Sequence, residues 1–249
     1  MTAATVLGCR VDAAGVDEAV TRIVELARGN VPATVVTLGT EMVVRARREP
    51  RFRAVLNASA LSLCDTVGVL FAARAQGLPL PGRVTGVDLL DPLCADLARE
   101  DLGVYLLGGK GDTAAKAGAA LVARHPGLRV CGARDGYFSP AEDATVAAAV
   151  AASGARVLLV GLGSPRQEIW VADHLEKTGA MVGIGVGGSF DVLAGNVERA
   201  PEVWRRLNVE WLYRLLKEPW RWRRQLALPA FVWLALCERL GARGRSSAA

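Results

Sequence analysis

Apolar residues along the chain form short runs separated by longer stretches of helical periodicity. Six runs rich in β-branched residues and leucine predict strands, at Thr34–Leu38, Ala60–Cys64, Val104–Leu107, Leu128–Cys131, Val157–Val160 and Met181–Val186. Apolar residues spaced three or four apart predict helices, at Val16–Ala27, Val87–Ala98, Thr113–Arg124 and Glu142–Ala152. Strands alternating with helices predict an α/β fold with a mostly parallel, Rossmann-like sheet and helices on both faces. Before the first run, Thr5–Val11 predicts an edge strand or a hairpin.

The stretch 156–170 is the one around which the other elements are organised. Val157–Val160 is an unbroken apolar run, as expected of a central strand buried on both faces. Gly161 and Gly163 then allow a tight turn and a close approach to a ligand. Arg166–Glu168 begin the following helix, at the carboxyl end of a strand, where open α/β sheets bind ligands. An ordinary strand–turn–helix connection is the alternative.

Polar residues also follow the other predicted strands, at Thr37 and Thr40, at Asp65 and Thr66, at Gly108–Gly111, at Asp135–Tyr137 and at Gly185–Asp191. Gathered at one edge of a sheet, they predict a cleft for a phosphorylated small molecule. Asp65 either takes a proton from a hydroxyl or caps the next helix. Thr37 has the same capping alternative. Gly108–Gly111 does not match a P-loop and predicts only a tight turn.

Two motifs bear on the kind of ligand. Gly183-x-Gly185-x-x-Gly188 fits the dinucleotide pattern, so an NAD(P)-dependent oxidoreductase is a rival hypothesis, although the pattern comes late in the chain. The sequence has no Asp-x-Asp, the close carboxylate pair that often holds a metal-bound diphosphate. Arginines, backbone amides and helix dipoles would then have to meet a diphosphate's charge. We expect no metal site and no cofactor.

The composition of the chain indicates the size of its core and the compartment in which it works. With 249 residues and 51% hydrophobic content, the chain can bury a substantial core. Its five cysteines are scattered without C-x-x-C spacing, which predicts small core residues in a reducing compartment. The first residues carry no basic segment followed by an apolar one, so we expect a cytoplasmic protein.

Charge is concentrated near the C-terminus. Residues 199–224 hold eight basic and three acidic residues, a net +5 that equals the charge of the whole chain. Five of the six tryptophans also lie beyond residue 200. This shift predicts an α/β catalytic domain at 1–198 and a basic C-terminal helical appendage at 199–249. On a helix, Arg214, Lys217, Arg221 and Arg224 would share one face.

The apolar stretch Leu226–Cys237 is too short to span a bilayer, which takes about 20 residues. Flanked by tryptophans and basic residues, it predicts a segment lying in a membrane interface. The alternative is a helix packed on its own domain or on another subunit, which would make the protein a homo-oligomer. Nucleic acid is disfavoured by the apolar content.

In this order, the motifs resemble the WecG/TagA/CpsF family of bacterial glycosyltransferases. The resemblance runs from about Val11 to Arg224 and is carried by Leu159–Glu168, Gly185–Asp191 with Ala194-Gly195, Arg199–Pro201, Glu210–Pro219 with Arg221 and Arg224, Arg83–Asp88, and Gly136–Phe138. It implies transfer of an N-acetylmannosamine-type sugar from UDP to a polyprenyl-diphosphate-linked sugar, without a bound metal, at the cytoplasmic membrane face. It also implies that the products enter teichoic acid, common antigen or capsule precursors.

The resemblance also implies roles for individual residues. Asp65 would be the general base, with Thr37 and Gln167 lining the sugar pocket. Further substrate contacts would be made by Arg83, Gly136, Tyr137, Gly163 and Asp191. Of these, Tyr137 and Asp191 would lie near the uridine. Three arginines near the C-terminus, Arg214, Arg221 and Arg224, would face the diphosphate.

Two departures fall in the expected sugar pocket. The family typically reads Thr-x-Asn where this chain has Thr37-Leu38-Gly39, and Asp-Gly where it has Asp65-Thr66. They put the donor sugar in question more than the reaction class. The hypothesis is therefore an inverting, metal-independent glycosyltransferase acting on a UDP-sugar and a lipid-linked acceptor at the membrane. Its rivals are the oxidoreductase and a non-catalytic, membrane-associated protein that binds nucleotide sugars.

Overall fold

Six parallel strands form the central sheet of the protein. The computed structural model describes residues 2–206, 209–217, 222 and 226–246. Its strands are β1 (Ala3–Val6), β2 (Cys9–Asp12), β3 (Ala33–Leu38), β4 (Leu61–Cys64), β5 (Val104–Gly108), β6 (Val130–Arg134), β7 (Val157–Gly161) and β8 (Val182–Gly185). The sheet order is β4-β3-β8-β7-β5-β6, and β1 and β2 form a separate antiparallel hairpin. The predicted fold class is confirmed.

Helices cover both faces of this sheet. They are α1 (Val16–Arg28), α2 (Thr40–Ala46), α3 (Pro50–Asn57), α4 (Val67–Ala75), α5 (Gly86–Arg99), α6 (Thr113–Arg124), α7 (Asp143–Ser153), α8 (Arg166–Thr178), α9 (Ser189–Leu193), α10 (Glu202–Arg206), α11 (Glu210–Lys217) and α12 (Ala227–Ser246). One face packs against α1, α5, α6 and α9. The other packs against α2, α3, α4 and α12 at one end and α7 and α8 at the other.

The predicted strands and helices form where the hydrophobic pattern placed them, with ends shifted by a few residues. The largest strand shift is at β6, which begins at Val130 rather than Leu128 and is partly exposed at the sheet edge. In the centre, Val157–Val160 is fully buried, as an apolar run covered on both faces requires. Because all six strands run parallel, the carboxyl ends of β3, β4, β7 and β8 meet along one edge.

Two of the three glycines of the dinucleotide-like pattern serve helix–sheet packing instead. Gly183 and Gly185 lie within β8 rather than in a turn between a strand and a helix. A Cβ atom at Gly183 would come within 2.5 Å of Val171 Cγ1 on α8. The absence of side chains therefore lets α8 approach the strand closely, which accounts for these two glycines without a dinucleotide.

The C-terminal segment returns to the main body of the protein. On α12, Phe231 is only 3% exposed and belongs to the core cluster formed with α2 and α4. Near the middle of that helix, Glu238 Oε2 accepts a hydrogen bond from the Leu7 backbone N–H at 3.4 Å. Among the described residues, none of the helices is both long and apolar enough to cross a bilayer. The division at residue 199 stays a prediction.

The five cysteines divide into two groups. Cys9, Cys64 and Cys94 are buried, and burial raises the pKa of each thiol, to about 11 for Cys9 and about 12 for the other two. Cys131 is half-buried and Cys237 on α12 is exposed. The expectation of core residues thus holds for the first three and is wrong for Cys237, because that position is on the outward side of α12.

Candidate active site

A cavity of about 310 Å³ opens at the carboxyl edge of the sheet. Its wall is formed by the ends of β3, β4 and β8, by the turn between β7 and α8, and by the start of α5. The C-terminal segment closes one side through Glu210, Trp211 and Leu228. This volume lies at the lower end of the range for small-molecule sites. The cleft predicted from polar residues after the strands is therefore present.

Five of the residues singled out from the sequence line this cavity together: Thr37, Asp65, Arg83, Gly163 and Gln167. Asp65 directly follows β4, and its backbone N–H donates to Leu38 O at 3.1 Å, which holds the start of the loop beside the end of β3. The Thr37 hydroxyl donates to Gly185 O on the neighbouring strand at 3.0 Å. Thr37 thus lies within β3 and bonds across the sheet, so the capping alternative does not describe it.

Gln167 is anchored at both ends of its amide. It is 3% exposed, although it lines the cavity. Its Oε1 accepts a hydrogen bond from the Gly187 backbone N–H at 3.2 Å, and its Nε2 donates to Glu168 Oε1 at 2.7 Å. A Cβ atom at Gly185 would come within 2.7 Å of Gln167 Nε2. Glycine at that position therefore makes room for the amide.

The two departures in the expected sugar pocket, Gly39 and Thr66, lie side by side in the cavity wall. A Cβ atom at Gly39 would be in ordinary contact with Thr66 Cγ2, at 3.5 Å. Gly39 precedes the first residue of α2 and has no side chain with which to cap it. Instead, the Thr66 hydroxyl accepts a hydrogen bond from the Thr40 backbone N–H at 3.0 Å. Thr66 thus supplies from a neighbouring loop the cap that position 39 lacks.

We expect Thr66→Val to lower the stability of the protein by about 1 kcal/mol, because the Thr40 N–H loses its acceptor at the start of α2. For a chain of this size, the melting temperature should fall by roughly 2–4 °C. Thr66→Ser is the matched control, since it keeps the hydroxyl and removes only the methyl group. Equal melting temperatures for the two variants would show that the cap contributes nothing measurable.

Arg166, at the start of α8, turns away from the cavity. It donates to Gly136 O at 2.9 Å and to Phe138 O at 2.7 Å. Its guanidinium also stacks on the Phe138 ring, 4.5 Å from the centroid. Such a contact fixes the loop that carries Gly136 and Tyr137 beside the end of β7. Arg166 therefore has a structural role.

The remaining predicted ligand contacts lie beyond the cavity wall. Gly136 and Tyr137 are outside it, and Tyr137 is 75% exposed. Asp191 is on α9, three residues after Gly188, which does line the wall. Their contacts with a ligand stay predictions.

The arginines predicted to face a diphosphate cannot be placed. Arg221 and Arg224 lie outside the described residues, and for Arg214 only the backbone, within α11, is described. Arg83 is the guanidinium that the described structure does bring to the cavity.

Thr40 and Ser189, which were among the polar residues expected after the strands, also line the wall, together with three polar residues that were not singled out: Glu41, Thr85 and Glu210. Glu210 is buried, at the start of α11. Thr85, Ser189 and Glu210 all belong to motifs that carry the family resemblance, and this membership is the signal in the sequence that could have pointed to them as cavity residues. Among the described residues, no group of three or more His, Cys, Asp or Glu side chains could hold a metal ion.

Comparison with known proteins agrees with this geometry. The model of the glycosyl transferase WecG/TagA/CpsF family matches residues 4–245. A relative from Bacillus spizizenii (strain ATCC 23059 / NRRL B-14472 / W23), named N-acetylglucosaminyldiphosphoundecaprenol N-acetyl-beta-D-mannosaminyltransferase, is 36% identical over 203 residues, which cover 82% of this chain and 78% of the relative. The resemblance and the glycosyltransferase class predicted from the sequence are confirmed, and the oxidoreductase alternative is not favoured. The chain belongs to the glycosyl transferase WecG/TagA/CpsF family.

Proposed function

We propose that this glycosyltransferase moves an N-acetylmannosamine-type sugar from UDP to a polyprenyl-diphosphate-linked acceptor, with inversion at the anomeric carbon. The observation that carries the proposal is the convergence of Thr37, Asp65, Arg83 and Gln167 on one cavity at the carboxyl edge of the sheet. The relative's name specifies an N-acetylmannosaminyl group and an undecaprenyl-diphosphate-linked acceptor. Members of one family at this similarity commonly share the reaction, so the same substrate classes are assigned here.

The side chains of the cavity suit each step of such a transfer. The Asp65 carboxylate takes the proton from an acceptor hydroxyl, whose oxygen then attacks the anomeric carbon as UDP departs. Thr37 and Gln167 hold the sugar, because a hydroxyl and an amide can each bond to ring hydroxyl groups. Arg83 and the arginines of the C-terminal segment meet the charge that grows on the departing diphosphate. The relative forms a β linkage, which an α-linked UDP-sugar gives by inversion.

The nucleotide is assigned to the side of the cavity that Gly163 lines, next to the loop that Arg166 holds. Gly163 lies in the turn before α8 with φ of +77°, a conformation that brings the backbone close to a ligand. Gly136 and Tyr137 lie on the loop that Arg166 holds, and Asp191 lies on α9, three residues after Gly188 of the cavity wall. The exposed Tyr137 ring offers a surface on which a uracil base can stack.

Membrane association is assigned to the outer side of α12. Phe231, Leu234 and Ala235 pack inward, whereas Val232, Trp233 and Leu236 are exposed. Together with the basic residues of 199–224, this surface fits a helix that lies at the headgroup level of a bilayer. A lipid-linked acceptor would then reach the cavity from the membrane, so the protein acts as a peripheral protein on the cytoplasmic face of the cell membrane. Assembly into a homo-oligomer through the same surface is the alternative.

Transfer should survive EDTA. The motivation is the lack of an Asp-x-Asp in the sequence and the presence of Arg83 in the cavity, since a guanidinium can neutralise a diphosphate as a cation does. The measurement is the rate of UDP release in treated and untreated samples. Loss of the rate on chelation, with recovery on adding Mg²⁺ or Mn²⁺, would overturn the assignment of the diphosphate to arginine.

A donor panel tests the proposal itself. The purified protein is mixed with each of several UDP-sugars and a short-chain prenyl-diphosphate acceptor bearing N-acetylglucosamine, and UDP release is recorded. We expect UDP-N-acetylmannosamine to give the highest rate. Binding of UDP without turnover would favour the non-catalytic rival, and calorimetric binding of NADH without UDP binding would favour the oxidoreductase.

A further inference from the structure

Glu168 is a buried carboxyl group next to the cavity that the transfer reaction, as described, does not use. It is 4% exposed and lies in the first turn of α8. Its Oε1 accepts the hydrogen bond from Gln167 Nε2 at 2.7 Å. The Ser164 side chain and the backbone N–H of Glu168 itself also interact with the carboxyl group. Because burying a carboxyl group costs stability, its presence beside the cavity calls for another explanation.

The bond between Gln167 and Glu168 is unusual in its geometry. Consecutive residues on a helix point in directions about 100° apart, so their side chains do not normally meet. Here both side chains bend over Gly185 of β8. A Cβ atom at that position would come within 2.7 Å of Gln167 Nε2 and 3.2 Å of Glu168 Oε1. The close packing of α8 on β8 at Gly185 thus brings the Gln167 and Glu168 side chains together.

The contact determines which atoms Gln167 can offer to a ligand. The Gly187 N–H binds Oε1, and Glu168 binds one N–H of Nε2. With both ends held, the amide cannot flip, and the second N–H of Nε2 is the donor left for a ligand in the cavity that Gln167 lines. Without Glu168, only the Gly187 bond would resist rotation of the amide.

We propose that Glu168 is a positioning residue, whose buried carboxyl group fixes the Gln167 amide so that it presents a hydrogen-bond donor to the transferring sugar. The inference rests on the function proposed above. The role requires an acceptor at Oε1 but no negative charge. In agreement, burial raises the pKa of Glu168, although hydrogen bonds from Gln167, from Ser164 and from its own backbone N–H act in the opposite direction.

Two substitutions of Glu168 distinguish the effect of its hydrogen-bond acceptor from the effect of its side-chain volume. Glu168→Gln keeps an oxygen acceptor, and we expect its kcat and KM to stay within about threefold of the parent values. Glu168→Met is similar in length but has no comparable acceptor. Its kcat should fall about 10- to 100-fold, as expected for a misplaced contact in the transition state, with little change in donor KM. Thr178→Val is the matched control, because it removes a buried hydroxyl from the far end of α8.

A double-mutant cycle with Gln167 distinguishes positioning from general support of the fold. If Glu168 acts through Gln167, Glu168→Met should cause no further loss of kcat in a Gln167→Ala background. An undiminished loss in that background, or a parental kcat for Glu168→Met alone, would overturn the proposal. So would a kcat loss of similar size in Thr178→Val.

An NMR measurement on the Gln167 side-chain amide tests the proposal without relying on the transfer assay. The side-chain ¹⁵N–¹H₂ signals of Gln167 are assigned by their loss in Gln167→Ala. In the parent and in Glu168→Gln, one N–H should exchange slowly with solvent, and in Glu168→Met it should exchange faster. Unchanged exchange in Glu168→Met would contradict the proposal even if no donor supported turnover, whereas absence of turnover with preserved slow exchange would count only against the proposed function.

Discussion

Asp65→Asn should lower kcat by roughly 10²–10⁴-fold, which is the usual contribution of a general base. The substitution keeps the size of the side chain and removes its ability to accept a proton from the acceptor hydroxyl. It also keeps the capping capacity, since asparagine caps helices about as well as aspartate. Melting temperature should therefore stay near that of the parent, and UDP affinity measured by calorimetry should change little.

The matched control is Asp173→Asn. Asp173 is a carboxylate on α8 that pairs with Arg51 at the surface, at 2.7 Å, away from the cavity. Such an exposed pair contributes little to stability, and the control should retain the parental rate. If Asp65→Asn turned over like Asp173→Asn, Asp65 would have no role as the base.

The second large effect concerns the membrane. Replacing both Trp233 and Leu236 by serine should reduce binding to vesicles containing anionic lipid by roughly 10- to 100-fold, because two apolar side chains no longer enter the interface. Trp233 is 68% exposed, so the change should leave the core contacts of α12 intact. The measurement is co-sedimentation with vesicles, and activity on a water-soluble acceptor should be retained.

Val31 and Val122 provide the control for that experiment. Both are exposed apolar residues, one just before β3 and the other on α6. Replacing both by serine should leave vesicle binding unchanged. If the α12 double variant sedimented as fully as this control, the outer side of α12 would not be the membrane-binding surface. If the α12 double variant instead changed the oligomeric state of the protein, the result would support the alternative that α12 packs against another subunit.

The elements of the fold could be predicted because burial leaves a local pattern in the sequence. A central strand such as Val157–Val160 is covered on both faces and reads as an unbroken apolar run. The edge strand β6 is partly exposed, so its pattern is weaker and its start was placed two residues too early. The order of the strands leaves no such pattern. β3 pairs with β8, far along the chain, and the Thr37–Gly185 bond depends on that pairing.

The motifs that form the site could be predicted from the sequence, but the directions in which their side chains point could not. The three polar residues at the start of α8 were recognised as a group, yet each points to a different environment. Arg166 bonds to a loop, Gln167 lines the cavity, and Glu168 is buried behind it. Which of them faces the ligand depends on the rotation of α8 against β8, which Gly183 and Gly185 set through packing. Tertiary contacts of this kind cannot be inferred from the spacing of residues alone.

The most direct test of sugar transfer in this cavity is the mass of the acceptor after reaction. The protein is incubated with UDP-N-acetylmannosamine and the prenyl-diphosphate N-acetylglucosamine acceptor, and the lipid fraction is analysed by mass spectrometry beside a parallel reaction with Asp65→Asn. The account predicts an acceptor heavier by one N-acetylhexosamine residue, formed with an equal amount of UDP by the parent and hardly at all by the variant. An unchanged acceptor mass with every UDP-sugar supplied, or equal product from both proteins, would contradict it.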